Sequence, residues 1–375
     1  GISYINYFKN NDIKKMNSNG FIPTYDFSKI SEVDMIILCL PTPVKKNKSP
    51  EMFYILSSMR TILPYLKENQ ILSLESTTYP GTCEEVLLPF LQKKFEVGKN
   101  FYLVYSPERE DPGNKKYSLT KIPKVIGGLT NSCLLVGKNF YEILGIRLIT
   151  VNNIRTAEFT KLLENIYRSV NIGLINEMKN ICEKLNINIF EAIEAADTKP
   201  FGFQKFYPGP GYGGHCIPID PFLLSWKAKN NGANAKFIEL SGVINEEMPK
   251  IITKKIVNYC KKNKEKNVIV IGVAYKKNVD DLRESPALRI INYLELNKLK
   301  VSYHDPYVQN LPKTREFEII KKSKKLSKSI LNKNVVVIVT DHDCLDYEFI
   351  KKNSKYIFDC RGRYKQSIKN KIKQI

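Results

Sequence analysis

NQILSLESTTYPG (69–81) opens as a short apolar β run and closes on Ser, Thr, Pro and Gly. The same design lies on either side of it, in VDMIILCLPTP (33–43) and NFYLVYSPERE (100–110), with helical segments between the three runs. Alternating strand and helix predicts a parallel α/β sheet. In such sheets ligands collect at the carboxyl ends of the strands. That puts Thr42, Thr77 and Glu108 at a candidate site.

Further along, residues 156–185 contain no proline and one glycine, Gly173, and apolar side chains recur at helical spacing. This predicts a long, largely buried helix. Lys161, Asn165 and Arg168 fall at i, i+4 and i+7, so they share a face and are placed to meet one ligand, although each alone also reads as part of an ordinary polar stripe. A second α/β unit opens at Asn267 with NVIVIGVAYKKNVDDLRESPALRIINYL, a strand, a Gly turn and a helix. VSYHDP (301–306), NVVVIVTDHD (334–343) and KYIFDCRG (355–362) supply further strands, and the tail KQSIKNKIKQI (365–375) reads as a frayed basic helix or as disordered. The expected architecture is two Rossmann-like parallel-sheet domains joined by a long central helix, with boundaries at 1–152, 153–249 and 250–375.

YPGPGYGGHCIPIDPF (207–222) sets Cys216 in a glycine-rich loop. Glycines 209, 211, 213 and 214 strip Cβ atoms from the approach to that sulfur, which predicts that a bulky ligand lies against bare backbone amides. Asp220 is suited to steering a water or holding a nearby cation. The plain alternative is a glycine-rich surface turn around a buried cysteine.

At 375 residues the chain is long enough for two or three domains, and 43% hydrophobic with 26% charged residues is a soluble globular composition. No apolar run approaches the roughly 18 residues that span a bilayer, and GISYINYFKN has neither the charged nor the apolar region of a signal peptide, so a cytoplasmic protein with no membrane partner is expected. The eight cysteines are scattered singly, which argues against a zinc site and a disulfide framework; most, such as Cys39 in IILCLP and Cys133 in NSCLLV, read as small buried hydrophobes. No metal is called for. The net charge of +21 is spread along the chain without a basic stripe interleaved with aromatics, so nucleic acid is not an expected partner.

CLPTP (39–43), LESTTYPGT (74–82), YSPEREDPG (105–113), the K-L-x-E-N helix at 161–165, the Cys216 loop and GVAYKKNVDDLRESPA (272–287) stand in one order along the whole chain. Together they resemble the UDP-glucose/GDP-mannose dehydrogenase family, NAD-dependent enzymes that oxidise C6 of a nucleotide sugar from alcohol to carboxylate. Within it, ENIYRSVNIGLINEMK (164–179), KPFGFQKFYPGPGYGGHCIPIDPF (199–222) and FIELSG (237–242) look like the branch acting on UDP-N-acetylhexosamines, with UDP-N-acetylglucosamine the leading substrate. The UDP-glucose branch usually has a lysine directly before the aspartate that matches Asp220; here that place is Ile219.

The resemblance implies roles position by position. Cys216 matches the nucleophile whose thiolate captures the intermediate aldehyde, so that the second hydride leaves from a thiohemiacetal and water hydrolyses the thioester. Lys161 matches a lysine that stabilises oxyanion charge, and Asn165 its polar companion. Asp220 resembles the carboxylate that orients water or base, and Glu108 the glutamate of thioester hydrolysis. Thr77 matches a threonine near cofactor and reacting centre. Thr42, Thr77, Glu108 and Arg283 are expected on NAD. Lys161, Arg168, Tyr207, Gly209, Gly213, Lys276 and Arg361 are expected on the UDP-sugar. Each also has a structural reading: Glu108 as a helix cap, Lys276 as a surface lysine, Arg283 as a bridge to Glu284 or Asp281. A homodimer through the central helix is implied as well, and uronic-acid sugars for surface polysaccharide are the expected product.

The sequence departs from the family at its start. The family begins with a strand and a G-x-G-x-x-G turn for the NAD pyrophosphate, followed by an acid for the ribose. This chain begins at GISYINYF, which resembles the segment just after that unit; GPGYGG (209–214) belongs to the Cys216 loop, and GVAYKK opens the second α/β unit, the UDP-binding one. The expectation is a piece of a longer protein lacking about 45 residues, with an incomplete N-terminal domain, an unprotected sheet edge and weak or absent NAD binding. An inactive UDP-sugar-binding protein is therefore one alternative. A thiol acyltransferase or hydrolase is another, but it lacks a paired histidine: His215 is adjacent to Cys216, and His304 and His342 lie in the second α/β unit.

Overall fold

Three apolar runs become three parallel strands: Met35–Leu38 (β1), Ile71–Leu74 (β2) and Tyr102–Tyr105 (β3). Leu38 stands opposite Leu74, and Leu74 opposite Tyr105, so the three end at one level. The computed structural model describes residues 2–3, 9–45, 47–111, 121–313, 320–364 and 371–375, so most of GISYINYF and the PGN of YSPEREDPGN lie outside the described residues. It divides into two compact units, 1–163 and 164–375.

In the first unit Lys124–Gly128 (β4) and Leu148–Thr150 (β5) complete a sheet of order β1-β2-β3-β4-β5. Among the described residues its α-helices are α1 (Asn10–Ser18), ahead of β1, and then α2 (Phe53–Ile62), α3 (Leu88–Leu91) and α4 (Asn131–Ile143) between strands. Every residue of β2 is buried, as in a strand covered on both faces. Its Leu72 and Leu74 pack with Ile55, Met59, Leu87 and Phe101. The sheet is not wholly parallel as expected: β4 runs antiparallel to β3, with Val104 opposite Gly128 and Tyr105 opposite Gly127. Antiparallel neighbours can follow one another along a sheet without the helical crossover that a parallel return needs. Cys39 also departs from expectation. It is exposed, because side chains alternate along β1 and Ile37 and Cys39 share the open face of this outer strand.

Ile154–Lys184 (α5) begins in the first unit and ends in the second. It is less buried than its apolar content suggested: Leu163, Tyr167, Leu174, Met178 and Ile181 form an exposed stripe, because the apolar residues cover more of the circumference than one packed face. The second unit continues with α6 (Ile189–Asp197), α7 (Asp220–Asn230) and α8 (Lys236–Lys262). Its main strands are β6 (Asn267–Ile271) and β7 (Lys300–His304), followed by the two-stranded antiparallel ribbon of β8 (Asn310–Leu311) and β9 (Lys321–Lys322), and then β10 (Val335–Ile338), β11 (Ile357–Asp359) and β12 (Ile372–Gln374). Helices α9 (Pro286–Leu296), α10 (Lys328–Lys333) and α11 (Tyr347–Asn353) connect them.

The larger sheet of this unit is parallel throughout, in the order β12-β11-β10-β6-β7. The chain goes to one side of β6 and then to the other, which makes the carboxyl ends of β6 and β10 the topological switch point where ligands bind in such folds. Gly272 follows β6 with φ +78, and a Cβ there would lie 2.1 Å from the Thr340 carbonyl oxygen. The tail, expected frayed or disordered, instead ends in β12: Ile372 and Ile375 are buried, and that apolar gain secures the strand, while residues 365–370 lie outside the described ones.

Candidate active site

At the carboxyl ends of β1–β3 the first unit gathers hydroxyls and carboxylates. Thr42 Oγ1 donates to the Thr77 carbonyl at 2.5 Å, and Ser76 Oγ accepts from Leu40 N at 2.6 Å, so the loops after β1 and β2 hold each other. Glu108 joins them through its own N–H, which donates to the Glu75 carbonyl at 3.4 Å. Its Oε1 accepts from the amides of Arg109 and Glu110, each at 2.7 Å, and Oε2 lies 3.3 Å from Lys124 Nζ. Thr78 Oγ1 is buried there with no hydrogen-bond partner among the described residues, which suits a group added from outside.

The same loop is fastened to α5. Glu158 is fully buried, and its two oxygens accept the backbone N–H groups of Gly81 and Cys83, the latter at 2.9 Å. Burial pushes its carboxyl up to about 7, against the pull of those two hydrogen bonds toward the ionised form. One turn later on the helix Lys161 is also buried.

In the second unit Cys216 sits at the head of a turn that starts α7. Its carbonyl accepts the N–H groups of Ile219 at 3.1 Å and Asp220 at 2.9 Å. Asp220 opens the helix, followed by Pro221, which needs no N–H at that place. The Asp220 carboxylate is buried and takes a 2.6 Å hydrogen bond from Asn165 Nδ2 of α5. The Cys216 thiol remains exposed. The hydrogen bond to Asp281 holds the Arg283 guanidinium above its usual range against the opposing effect of burial, and the Cys216 sulfur adds the smallest contribution. Burial, and then Arg283, hold His215 below its usual range, so it stays neutral at physiological pH.

The four glycines do something other than expected. The space their Cβ atoms would fill is not an open approach to the sulfur but is taken by protein: Arg361 Nη1 lies 2.8 Å from that of Gly209, the Asn245 carbonyl 2.7 Å from that of Gly211, and the Tyr275 side chain 2.8 Å and 2.9 Å from those of Gly213 and Gly214. They let the loop pack flat against α8 and against the segment after β6. Gly209 N is further pinned by Asn176 Oδ1 at 2.9 Å; Asn176 Nδ2 donates to Asn245 Oδ1, and Asn245 Nδ2 to the Ser169 and Ser241 carbonyls.

The remaining expected residues scatter. Arg361 donates from Nε to the Val339 carbonyl at 2.8 Å and so brings its guanidinium to Gly209. Lys276 Nζ stands 5.8 Å from the centre of the Tyr275 ring, and it is the Tyr275 side chain that lies against Gly213 and Gly214. Arg283 grips Asp281 through Nε and Nη2, the structural alternative foreseen for it. Tyr207 donates to Glu194 and stacks on Phe190. Arg168, expected to share a site with Lys161 and Asn165, is exposed while those two are buried: the helix face they share opens to solvent there. Sequence reasoning missed Glu75, Lys124, Glu158, Asn176 and Asn245. For Asn176 a signal existed, three turns after Asn165 on one helix face; the partners of Glu158 are backbone amides, which leave no trace in residue types. Among the described residues no cluster could hold a metal ion, and no helix is long and apolar enough to cross a membrane.

Comparison with known proteins bears on this arrangement. Three models of the UDP-glucose/GDP-mannose dehydrogenase family match: the NAD binding domain at 10–145, the central domain at 155–247 and the UDP binding domain at 269–366. A UDP-N-acetyl-D-mannosamine dehydrogenase of Methanocaldococcus jannaschii is 35% identical over 92% of this chain and 75% of its own length. An NDP-N-acetyl-D-galactosaminuronic acid dehydrogenase of Ralstonia nicotianae is 31% identical over 88% and 79%. Among solved structures, a UDP-D-ManNAc dehydrogenase from Pyrococcus horikoshii superposes with a TM-score of 0.86 at 29% identity, covering 97% of this chain and 86% of that one.

Proposed function

Because the chain belongs to the UDP-glucose/GDP-mannose dehydrogenase family, and is with it an NAD-dependent nucleotide-sugar dehydrogenase, we propose that it oxidises C6 of a UDP-N-acetylhexosamine, UDP-N-acetylglucosamine before its epimers, to the uronate. The observation that carries the reading is the buried Asn165–Asp220 hydrogen bond at the foot of the Cys216 turn. A surface turn with an idle cysteine has no need of a desolvated carboxylate held by an amide from another helix.

NAD, when bound, accepts the two hydrides. Thr42, Thr77 and Glu108 would face its nicotinamide end, and the unpartnered Thr78 hydroxyl fits a polar group there. The Cys216 sulfur adds to the aldehyde carbon, and Lys161 offers its cation to the oxygen that gains the charge. Loss of the second hydride leaves a thioester on Cys216. Water hydrolyses it with Glu108 as base, while Asn165 and Asp220 hold the turn. Arg361, Lys276 and the Gly209–Gly213 backbone border the switch point where the UDP portion belongs. A homodimer through the exposed stripe of α5 and a cytoplasmic setting go with this reading; the eight free thiols suit a reducing compartment.

The test follows NADH at 340 nm with UDP-N-acetylglucosamine, UDP-N-acetylmannosamine, UDP-N-acetylgalactosamine and UDP-glucose. Two NADH per sugar, fastest with the first, and loss of turnover in Cys216→Ser are expected. A faster rate with the mannosamine or galactosamine epimer, for which relatives are named, changes the substrate and keeps the chemistry. Binding of UDP-sugar without NADH replaces the enzyme by a binding protein.

A further inference from the structure

We propose that Lys124 is a positioning residue for the hydrolytic half of the reaction, acting through Glu108. Lys124 opens β4 at the head of an apolar strand and is buried there. Its ammonium lies between two carboxylates, 2.9 Å from Glu75 Oε2 and 3.3 Å from Glu108 Oε2. Behind it the network is closed. Glu75 Oε1 accepts from Tyr141 OH at 2.5 Å, Tyr141 OH meets Ser73 Oγ at 2.9 Å, and burial followed by the Glu75 charge pushes the phenol well above its usual range, so Tyr141 stays a donor. Glu75 therefore serves to fix Lys124. Glu108 differs from its neighbours, since its side chain is 43% exposed even though both oxygens are held. One charged group with an open flank, backed by a buried ion pair, is a carboxylate kept in one rotamer for use. Burying Lys124 and Glu75 carries a desolvation penalty that a solvated surface glutamate does not require.

The inference rests on the reading of Glu108 given above. In the step concerned, water oxygen bonds to the acyl carbon, the carbon–sulfur bond breaks with its electron pair leaving on Cys216 Sγ, and one water proton passes to Glu108; nothing is oxidised or reduced. Without Lys124 the carboxylate swings free and this step slows, whereas the two hydride transfers that precede it, run at saturating NAD, do not use Glu108 as their base.

Lys124→Met strands the Glu75 carboxylate, so the experiment uses Lys124→Met/Glu75→Gln, which removes both buried charges, alongside Lys124→Arg and the wild-type chain. Each is mixed with NAD and UDP-N-acetylglucosamine, NADH is followed, and the Cys216 peptide is weighed by mass spectrometry after an acid quench. The double variant should give a burst of two NADH per active site, then turnover slowed at least tenfold with a sugar-acyl adduct on Cys216; Lys124→Arg should recover most of the turnover and lose the adduct. If hydride transfer falls in step with hydrolysis and no adduct forms, or if the double variant does not fold and Lys124→Arg is slowed tenfold or more without an adduct on Cys216, Lys124 is structural and the inference is overturned. A wild-type chain that forms no NADH with any of the four sugars overturns the functional reading, and the inference with it.

Discussion

A carboxylate taken out of water titrates together with the fold that buries it, and Glu158 is such a group. Its folded value of about 7 is raised above the ordinary 4.5, so the stability linked to its proton is fully present below about 4.5 and is lost as pH rises through about 7. The span corresponds to a loss on the order of 3 kcal/mol. Urea unfolding of the wild type should therefore show a fall in stability between about pH 4.5 and 7 that Glu158→Gln flattens; parallel curves for the two proteins would sink the assignment. Cys216 and Asp220 were legible in the sequence because reactive residue types in a glycine-rich frame are uncommon. Glu158 and Lys124 were not. One is held by amides of a loop about seventy-five positions away, the other by acids that strand pairing alone brings near.

Among the elements, the strands were readable from their apolar runs, since burial on both faces demands them, while the direction of β4 was not, because an apolar run looks the same in either sense. The glycine loop was found but misread: the sequence shows that Cβ atoms are missing, not which atoms take their place. Gly214 has φ +85 with the Tyr275 ring against its Cβ position, whereas Gly232, at φ +77, has open space around it. Gly214→Ala should lower unfolding free energy by roughly 2 kcal/mol more than Gly232→Ala, one strain being shared and the clash not; equal losses would show that the ring moves aside freely. For α5, the exposed stripe is the surface that a second copy would cover. Leu174→Glu should turn a dimer into a monomer by light scattering at micromolar concentration, and a wild-type monomer would remove that role from the helix.

At the scale of the molecule, two α/β units were evident from the sequence because each repeats the strand–Gly–helix grammar, and the long helix was evident from a stretch with no proline and a single glycine, Gly173. Domain joints are usually exposed loops. Here the boundary at 163/164 falls inside α5, ten residues from its start, where the backbone is hydrogen-bonded on both sides. A protease has to unwind its target before it can cut, so that boundary should be a poor substrate even though Arg168 is exposed close to it. Brief trypsin digestion should open the chain first in the loop that carries Lys199 and Lys205, and should leave 154–184 as one piece long after the rest is nicked. Early scission at Arg168 would mean that α5 melts locally at that point. Its survival would mean that α5 outlasts the loops around it, a helix whose own hydrogen bonds guard the one stretch where a linker would ordinarily be cut.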